Sequence, residues 1–392
     1  LTDSRQFVLL SPGGLGVVQS HVKLDTPNPF ASAAPSIFRV AANLGSGRHF
    51  RRDLDHYGAT VPGTAGAREL RPFHRALSLE DSMEVFMCYS AQIEADYRKY
   101  VKMFGAAMSL REFAELYWEH GGRDLKAPMA MEAAFSAPQT DDERRIQALI
   151  AENNTLRTTK LEQELFRQRA RLADAERSLE TKTTKAAAES KRIATEKIDA
   201  TVRRLADLKR TSLKDADSRI YPGWYAPIMI IQDGRRVVVP MRYRCRLPGW
   251  TEQMEKEKPG TYNARRGNLR RVWGKLFGHH HGIMVVNRFY ENVEQNGKNL
   301  VLQFDPSPPQ QMLVACLWSR TTIPGEPDLW SFAAITDEPP PEIAAAGHDR
   351  CIIPIKPENL DAWLNPNPSD LAAQDTILDD RERPYYEHRI AA

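Results

Sequence analysis

Residues 139–221 contain neither glycine nor proline. Those two residues punctuate turns and loops, so a run this long without them is hard to fold as anything but extended helix. Asp141, Asp142 and Glu143 at its start suit the positive end of a helix dipole. Apolar residues recur at Ile146, Leu149, Ile150, Leu156, Leu161, Leu165, Leu172 and Leu179, with Arg, Lys, Glu and Gln between them. After a polar, threonine-rich stretch at 180–185 they resume at Ile193, Ile198, Val202, Leu205, Leu208 and Leu213. This spacing predicts a coiled-coil arm with imperfect heptads. As a single helix it reaches roughly 110 Å. As a hairpin turning near residues 181–184 it has half that reach, and the sequence leaves both open. The mixed charge of its polar face favours a structural arm, serving self-association or a replication or repair partner. DNA contact through Arg167, Arg169 and Arg171 is the lesser reading.

The rest of the chain narrows the class of protein. With 54 Lys+Arg against 51 Asp+Glu the net charge is +3, which excludes a global basic field. Any nucleic-acid surface must then be a local patch. No stretch approaches the ~18 apolar residues of a membrane span, so no membrane association is expected. Cys88, Cys245, Cys316 and Cys351 form neither a disulfide framework nor a CxxC metal pair, which favours a reducing cytoplasm. Residues 1–87 keep neither a strand nor a helix period and lack the basic start and apolar run of a signal peptide. They are expected to be a disordered or non-native leader. Leu1 in first place and the Met87-Cys88 junction suggest that Met87 is the physiological start.

Flanking the arm, 88–138 and 222–365 read as one domain. Two helices are expected in the first part, the second opening at Ser109 with Glu112 three residues on. The second part is mainly β. Asp233-Gly234 and Asn296-Gly297 each separate apolar runs of strand type and signal hairpins. Further strands are expected at "MLVACLWS", "LWSFAAIT" and "RCIIPI", and a short helix at "PENLDAWLN". The fold class is therefore α+β: a mixed, barrel-like β core with flanking helices and an inserted helical arm. Residues 366–392 are polar and are expected to form a loosely packed C-terminal tail.

Met87-Cys88 is the candidate for unusual chemistry. Removal of Met87 leaves Cys88 at the N-terminus, with an α-amine whose pKa is near ~8 and a thiol in 1,2 relation to it. Such a pair condenses with an aldehyde and closes to a thiazolidine; an internal cysteine, whose nitrogen is an amide, cannot. Polar groups also stand out in the β region: Asn263, Arg265 and Arg266 in a loop, Glu291 inside a strand, Trp250 in a turn after Arg242, Arg244 and Arg246, and His348 before a buried strand.

Taken in order, Met87-Cys88, Pro248-Gly249-Trp250, Asn263-Ala264-Arg265, Phe289-Tyr290-Glu291 and His348-Asp349-Arg350 resemble the motifs of the SOS-response-associated peptidase (SRAP) family, whose members process abasic sites and cross-link to DNA. The resemblance spans Cys88 to about Leu364, interrupted by the arm, and looks like a divergent bacterial or phage-type branch. It implies that Cys88 forms the thiazolidine with the ring-opened sugar. It further implies that Asn263 hydrogen-bonds beside the link, that Glu291 is the acid/base, and that His348 assists proton transfer. Arg265, with Arg242 and Arg266, would hold phosphates, and Trp250 would stack on a base. The partner implied is single-stranded DNA containing abasic sites, in a cytoplasmic, nucleoid-associated protein of the DNA damage response.

Some positions depart from the family pattern. Cys-Gly-Arg is here Cys88-Tyr89-Ser90, so the arginine after the nucleophile is missing, and "MRYRCR" offers Arg242, Arg244 and Arg246 in partial replacement. Other chemistries are weighed beside this one: AP-lyase activity through the Schiff base, an autoproteolytic cysteine peptidase pairing Cys88 with His348, and a non-covalent single-strand-binding module on a coiled-coil scaffold. No cofactor is expected. His279-His280-His281 is not expected to bind metal, because adjacent histidines point apart on a regular element.

Overall fold

The computed structural model describes residues 90–119, 125–295, 297–322 and 328–391. Elements begin with β1 (Ser90–Ile93), α1 (Tyr97–Phe104), β2 (Ala107–Met108), α2 (Leu110–Glu119) and α3 (Met129–Ala133). Two long helices follow, α4 (Asp141–Thr181) and α5 (Lys185–Leu208). Then come β3 (Arg219–Ile220), β4 (Tyr225–Gln232), β5 (Arg235–Tyr243), α6 (Glu252–Glu257), β6 (Asn263–Arg265), β7 (His281–Gln295), β8 (Lys298–Ser307), β9 (Met312–Thr321) and β10 (Leu329–Asp337). The last are α7 (Pro341–Ala345), β11 (Cys351–Ile352), β12 (Pro354–Ile355), α8 (Leu360–Leu364), α9 (Leu371–Asp379) and β13 (Tyr385–Ile390).

Local chemistry accounts for the strand pairs. Asp233 and Gly234 both take positive φ, +50° and +72°, as a tight hairpin turn between right-twisting strands requires. β4 and β5 then pair in register from Tyr225↔Arg242 to Gln232↔Arg235. β7 organises the sheet. Its first half pairs with β9 from His281↔Leu317 to Val286↔Met312, and its second half pairs with β8 from Phe289↔Phe304 to Gln295↔Lys298. Its other edge receives β1, from Ser90↔Tyr290 to Ile93↔Val286. Consecutive buried residues along β4, β7, β9 and β10 mean that both faces of these strands are covered. On one face Trp363 of α8 donates from its indole nitrogen to the Gly282 carbonyl at 3.0 Å.

The barrel-like core expected from the sequence is corrected here to one mixed sheet of thirteen strands. Pairings do link β4, β5, β10, β9 and β7 in a circuit, but the sheet branches around it and runs out through β1 to β3, through β8 to β13 and through β9 to β12. The cause is the length of β7, which passes from one set of neighbours to another along its own axis.

Residues 366–391 are likewise not a loose tail. α9 contributes buried Ile377 and Leu378, and β13 adds a strand to β8, with Tyr386 buried. Their few apolar residues recur at positions that face the body, which the polar composition masks.

In the arm, the break at 182–184 resolves the choice between one helix and two. Lys182 is extended, and the Thr184 hydroxyl accepts from the Ala187 amide at 3.2 Å, capping a new helix. α4 and α5 form a hairpin, braced by Lys191–Glu176 at 3.0 Å and by Arg171 donating to Ser190 at 2.9 Å. A coiled coil is not established. The residues buried between the helices are Gln168, Ala175, Ala187, Ala194 and Thr201, while Leu156 and Val202 are exposed and Phe166 is 75% exposed. The root is fixed to the body. Glu143 accepts from Arg98 at 3.1 Å and from the Gln139 amide at 2.6 Å, and it also accepts from Tyr97, while Ile146 and Ile150 join the core.

Cys88 and the expected leader lie outside the described residues. No helix among the described residues is long and apolar enough to cross a membrane.

Candidate active site

Glu291 sits in the second half of β7, fully buried, next in the chain to Tyr290, which pairs with Ser90. His348 follows α7 through Gly347, whose φ of +98° turns the chain back toward the sheet. β11 then pairs with β10 through Asp337↔Cys351 and Thr336↔Ile352, which holds the loop carrying His348 in place. The result is a buried contact: His348 Nε2 lies 3.2 Å from Glu291 Oε2. The other ring nitrogen, Nδ1, lies 2.9 Å from the Arg350 carbonyl oxygen. The Arg350 amide lies farther from the same nitrogen, at 3.4 Å, and since a carbonyl can only accept, the shorter contact favours the hydrogen on Nδ1. With the hydrogen on Nδ1, Nε2 faces the Glu291 carboxyl, and a proton between them would join the two groups.

Asn263 reaches the region from another side. It opens β6, which lies parallel to β10 through Asn263↔Ala334, and its Oδ1 accepts from the Tyr243 hydroxyl at 3.2 Å. β10 is thus the common neighbour of the segments bearing Asn263 and His348.

The three described cysteines are poor nucleophiles. Cys245, Cys316 and Cys351 are all buried. Burial pushes the Cys245 thiol up to about 12 and raises Cys316 and Cys351 as well; at Cys351 the Glu291 carboxylate adds to the effect.

A family model described as SOS response associated peptidase (SRAP) matches residues 176–390. The chain belongs to the SRAP family. Membership points, in general terms, to the processing of abasic sites in DNA and to the DNA damage response. No curated protein matches the chain. Among solved structures it is similar to a protein from Bordetella bronchiseptica (17% identical, covering 45% of this chain and 87% of that one, TM-score 0.37). It is also similar to one from Bacteroides thetaiotaomicron (14%, 44%, 77%, TM-score 0.38) and to a phage-related protein from B. bronchiseptica (16%, 44%, 80%, TM-score 0.35).

Against the SRAP expectation, the arginines behave differently from one another. Arg242 donates to Glu255 Oε1 at 2.5 Å, Arg246 to Oε2 at 2.8 Å, and Arg244 to the Glu255 carbonyl at 2.6 Å. Burial alone would raise the Glu255 carboxyl, but Arg242 and Arg246 outweigh it and hold it below the usual carboxylate range. Arg242 is therefore part of an internal cluster and is not an unengaged phosphate ligand. Arg266 is in the same condition, 2.6 Å from Asp379 and 3.2 Å from Asp337. The Arg265 side chain is 46% exposed, and its one ion pair among the described residues is a solvent-exposed contact to Glu338 at 3.3 Å. Trp250 is half-buried, with the Lys258 ammonium 5.2 Å from its ring centre. The segment expected as a loop around Asn263 is a short strand.

His281 is not a metal ligand in this arrangement. Its Nε2 accepts from the Gly278 amide at 2.9 Å and its Nδ1 faces the Trp363 carbonyl at 3.0 Å, so both nitrogens are used. Burial pushes its pKa down to about 3.

Sequence reasoning missed Arg219 and Glu255. Arg219 donates to the Ser90 hydroxyl at 3.0 Å, and its guanidinium stacks 3.5 Å from the centre of the Tyr290 ring. The two residues are 129 positions apart, and no local pattern announces the contact. Glu255 reads in sequence as one charge on a polar helix.

Proposed function

We propose that this SRAP protein captures abasic sites in single-stranded DNA through a thiazolidine formed by Cys88. The observation that carries the reading is the buried Glu291–His348 pair beside the strand position that receives Ser90. Two peptide units separate Ser90 from Cys88, so covalent geometry keeps their Cα atoms within about 7 Å whatever the local conformation.

The step balances simply. The free amine of Cys88 adds to the C1′ aldehyde of the ring-opened deoxyribose to give a carbinolamine. Loss of water leaves an imine. The thiol sulfur then adds to C1′, its proton passes to the nitrogen, and the ring closes. The net product is one thiazolidine and one water. Each stage moves a proton, and a proton held between Glu291 and His348 can be given and retaken. Asn263 orients the sugar, Arg265 contacts phosphate, and Trp250 offers a ring for base stacking. Arg242 and Arg266 support these elements from their carboxylate clusters. The same imine can undergo β-elimination, which is the lyase alternative. An attack by Cys88 on its own upstream peptide is the autopeptidase alternative.

The test is an adduct assay with uracil-excised single-stranded DNA, using protein that begins at Met87 beside the full chain. Protein with a confirmed Cys88 α-amine is expected to give a denaturation-resistant adduct of constant stoichiometry, absent in Cys88→Ala. Cleaved strand without adduct would select the lyase reading. The absence of both adduct and cleavage would refute the proposal.

A further inference from the structure

Where the hairpin leaves the body there is a cleft of about 690 Å³. One wall is the segment 125–129, tied to β4 by the Tyr225 amide donating to the Lys126 carbonyl at 2.9 Å. The other walls are α4 and α5. Lys126, Lys160 and Arg204 line it and are exposed, and among the described residues no carboxylate pairs with them. Its one acidic lining residue, Asp207, is answered by Arg210 and Lys214, each at 3.4 Å. Arg157, also in the lining, is answered by Glu132 at 3.5 Å. Three cations therefore remain uncompensated around one cavity.

On the outer arm Arg167, Lys191 and Arg192 pair with Glu164, Glu176 and Glu189, while Arg169, Lys182 and Lys185 have no carboxylate partner among the described residues and lie outside the cleft, which makes them a control of equal charge.

The cleft also contains a ring, and contacts run from it to β1. Trp224 lines it and is half-buried. Tyr221 lies 5.5 Å from Trp224, centre to centre. Arg219 stacks on Tyr221 at 5.1 Å and on Tyr290 at 3.5 Å, and donates to Ser90. Arg219, Tyr221 and Trp224 thus run in contact from Ser90 to the cations at the root of the arm. Phosphates along a flexible strand, with bases that stack on rings, suit such a path.

We propose that the cleft at the hairpin root is a second DNA-binding site, taking the backbone of a single strand that continues away from the abasic residue. The arm then acts as one wall of the DNA track. This deepens the reading above and rests on it for the identity of the ligand.

The test is binding of the full chain to an intact, dye-labelled thirty-nucleotide strand that carries no abasic site, measured by anisotropy across a salt series. Lys126→Glu/Lys160→Glu/Arg204→Glu is compared with a control of equal charge change on the outer arm, Arg169→Glu/Lys182→Glu/Lys185→Glu. All six positions are exposed, and melting curves confirm folding. The root variant is expected to bind at least tenfold more weakly than wild type. It should also lower the slope of log affinity against log salt by about two, since each lost single-strand phosphate contact is worth roughly 0.7. The control should stay within threefold. Trp224→Leu should weaken binding without changing the slope. Equal losses in root and control variants, or an unchanged root variant, overturn the proposal. If wild type binds but the root variant matches it, only the cleft assignment fails. If wild type binds no strand at all, the DNA reading fails with it.

Discussion

Replacing Glu291 with Gln isolates the chemistry of the buried pair from its architecture. Gln has the same shape, and its amide can donate to His348 Nε2, the atom that faces Oε2 at 3.2 Å. His348 Nδ1 keeps its contact with the Arg350 carbonyl at 2.9 Å, so the ring stays in place. What disappears is the transferable proton, because an amide hydrogen does not exchange between donor and acceptor as a carboxyl proton does. General acid–base assistance is worth about 10²–10⁴ in rate. The initial rate of adduct formation should therefore fall at least about 100-fold, equivalent to about 2.7 kcal/mol of barrier. The assay is a single-turnover time course with protein in excess over uracil-excised single-stranded DNA, quenched in denaturant and read on a gel. Affinity for an intact strand should remain within twofold, and the melting temperature should remain near wild type. A Glu291→Gln protein that forms adduct at the wild-type rate would refute the proton-sharing argument. A protein that loses adduct only because it unfolds would be exposed by the melting curve.

Three further outcomes are expected. Glu255→Gln leaves Arg242, Arg244 and Arg246 without their shared carboxylate. Breaking a buried pair in this way costs about 3–5 kcal/mol, so a fall in melting temperature of several degrees or more should be seen; an unchanged temperature would show that the cluster is not internal. His281 is held neutral, with its pKa near 3 in the fold against about 6.5 when unfolded. Below pH 6.5 the unfolded chain takes up a proton that the fold refuses. Stability should therefore fall as pH drops through that window, by up to about 1.4 kcal/mol per pH unit from this group; denaturant titrations should show a shallower dependence in His281→Gln. Gly282→Ala places a Cβ 2.9 Å from Ile228 Cγ2, inside the sheet, and should cost about 1–3 kcal/mol in the same titrations.

Several expectations were local and held for local reasons. The Asp233-Gly234 turn, the strands of β4, β5 and β7–β10, and the helix after Ser109 depend on nearest-neighbour preferences that a short window contains. The order of the motifs carrying Asn263, Glu291 and His348 was readable too, because motif order is a property of the chain. The core shape was not. Whether strands close or branch depends on how far β7 continues past its first partner, and pairing partners lie far apart in sequence. The tail was misread because a strand that covers an edge can be polar on every face but one, as β13 is around Tyr386.

What the sequence by itself determined is the helical run, the hairpins and the residue types present. Tertiary structure decided which of those residues meet. It joined Glu291 to His348, drew Arg242 and Arg266 into carboxylate clusters, brought Arg219 to Ser90, and folded the long helical run into a hairpin whose root frames a basic cleft. The physical reason is range. Helix periods, caps and turns are set over a few residues, whereas a shared proton, a compensated charge or a cleft depends on groups that meet only after the chain has closed on itself.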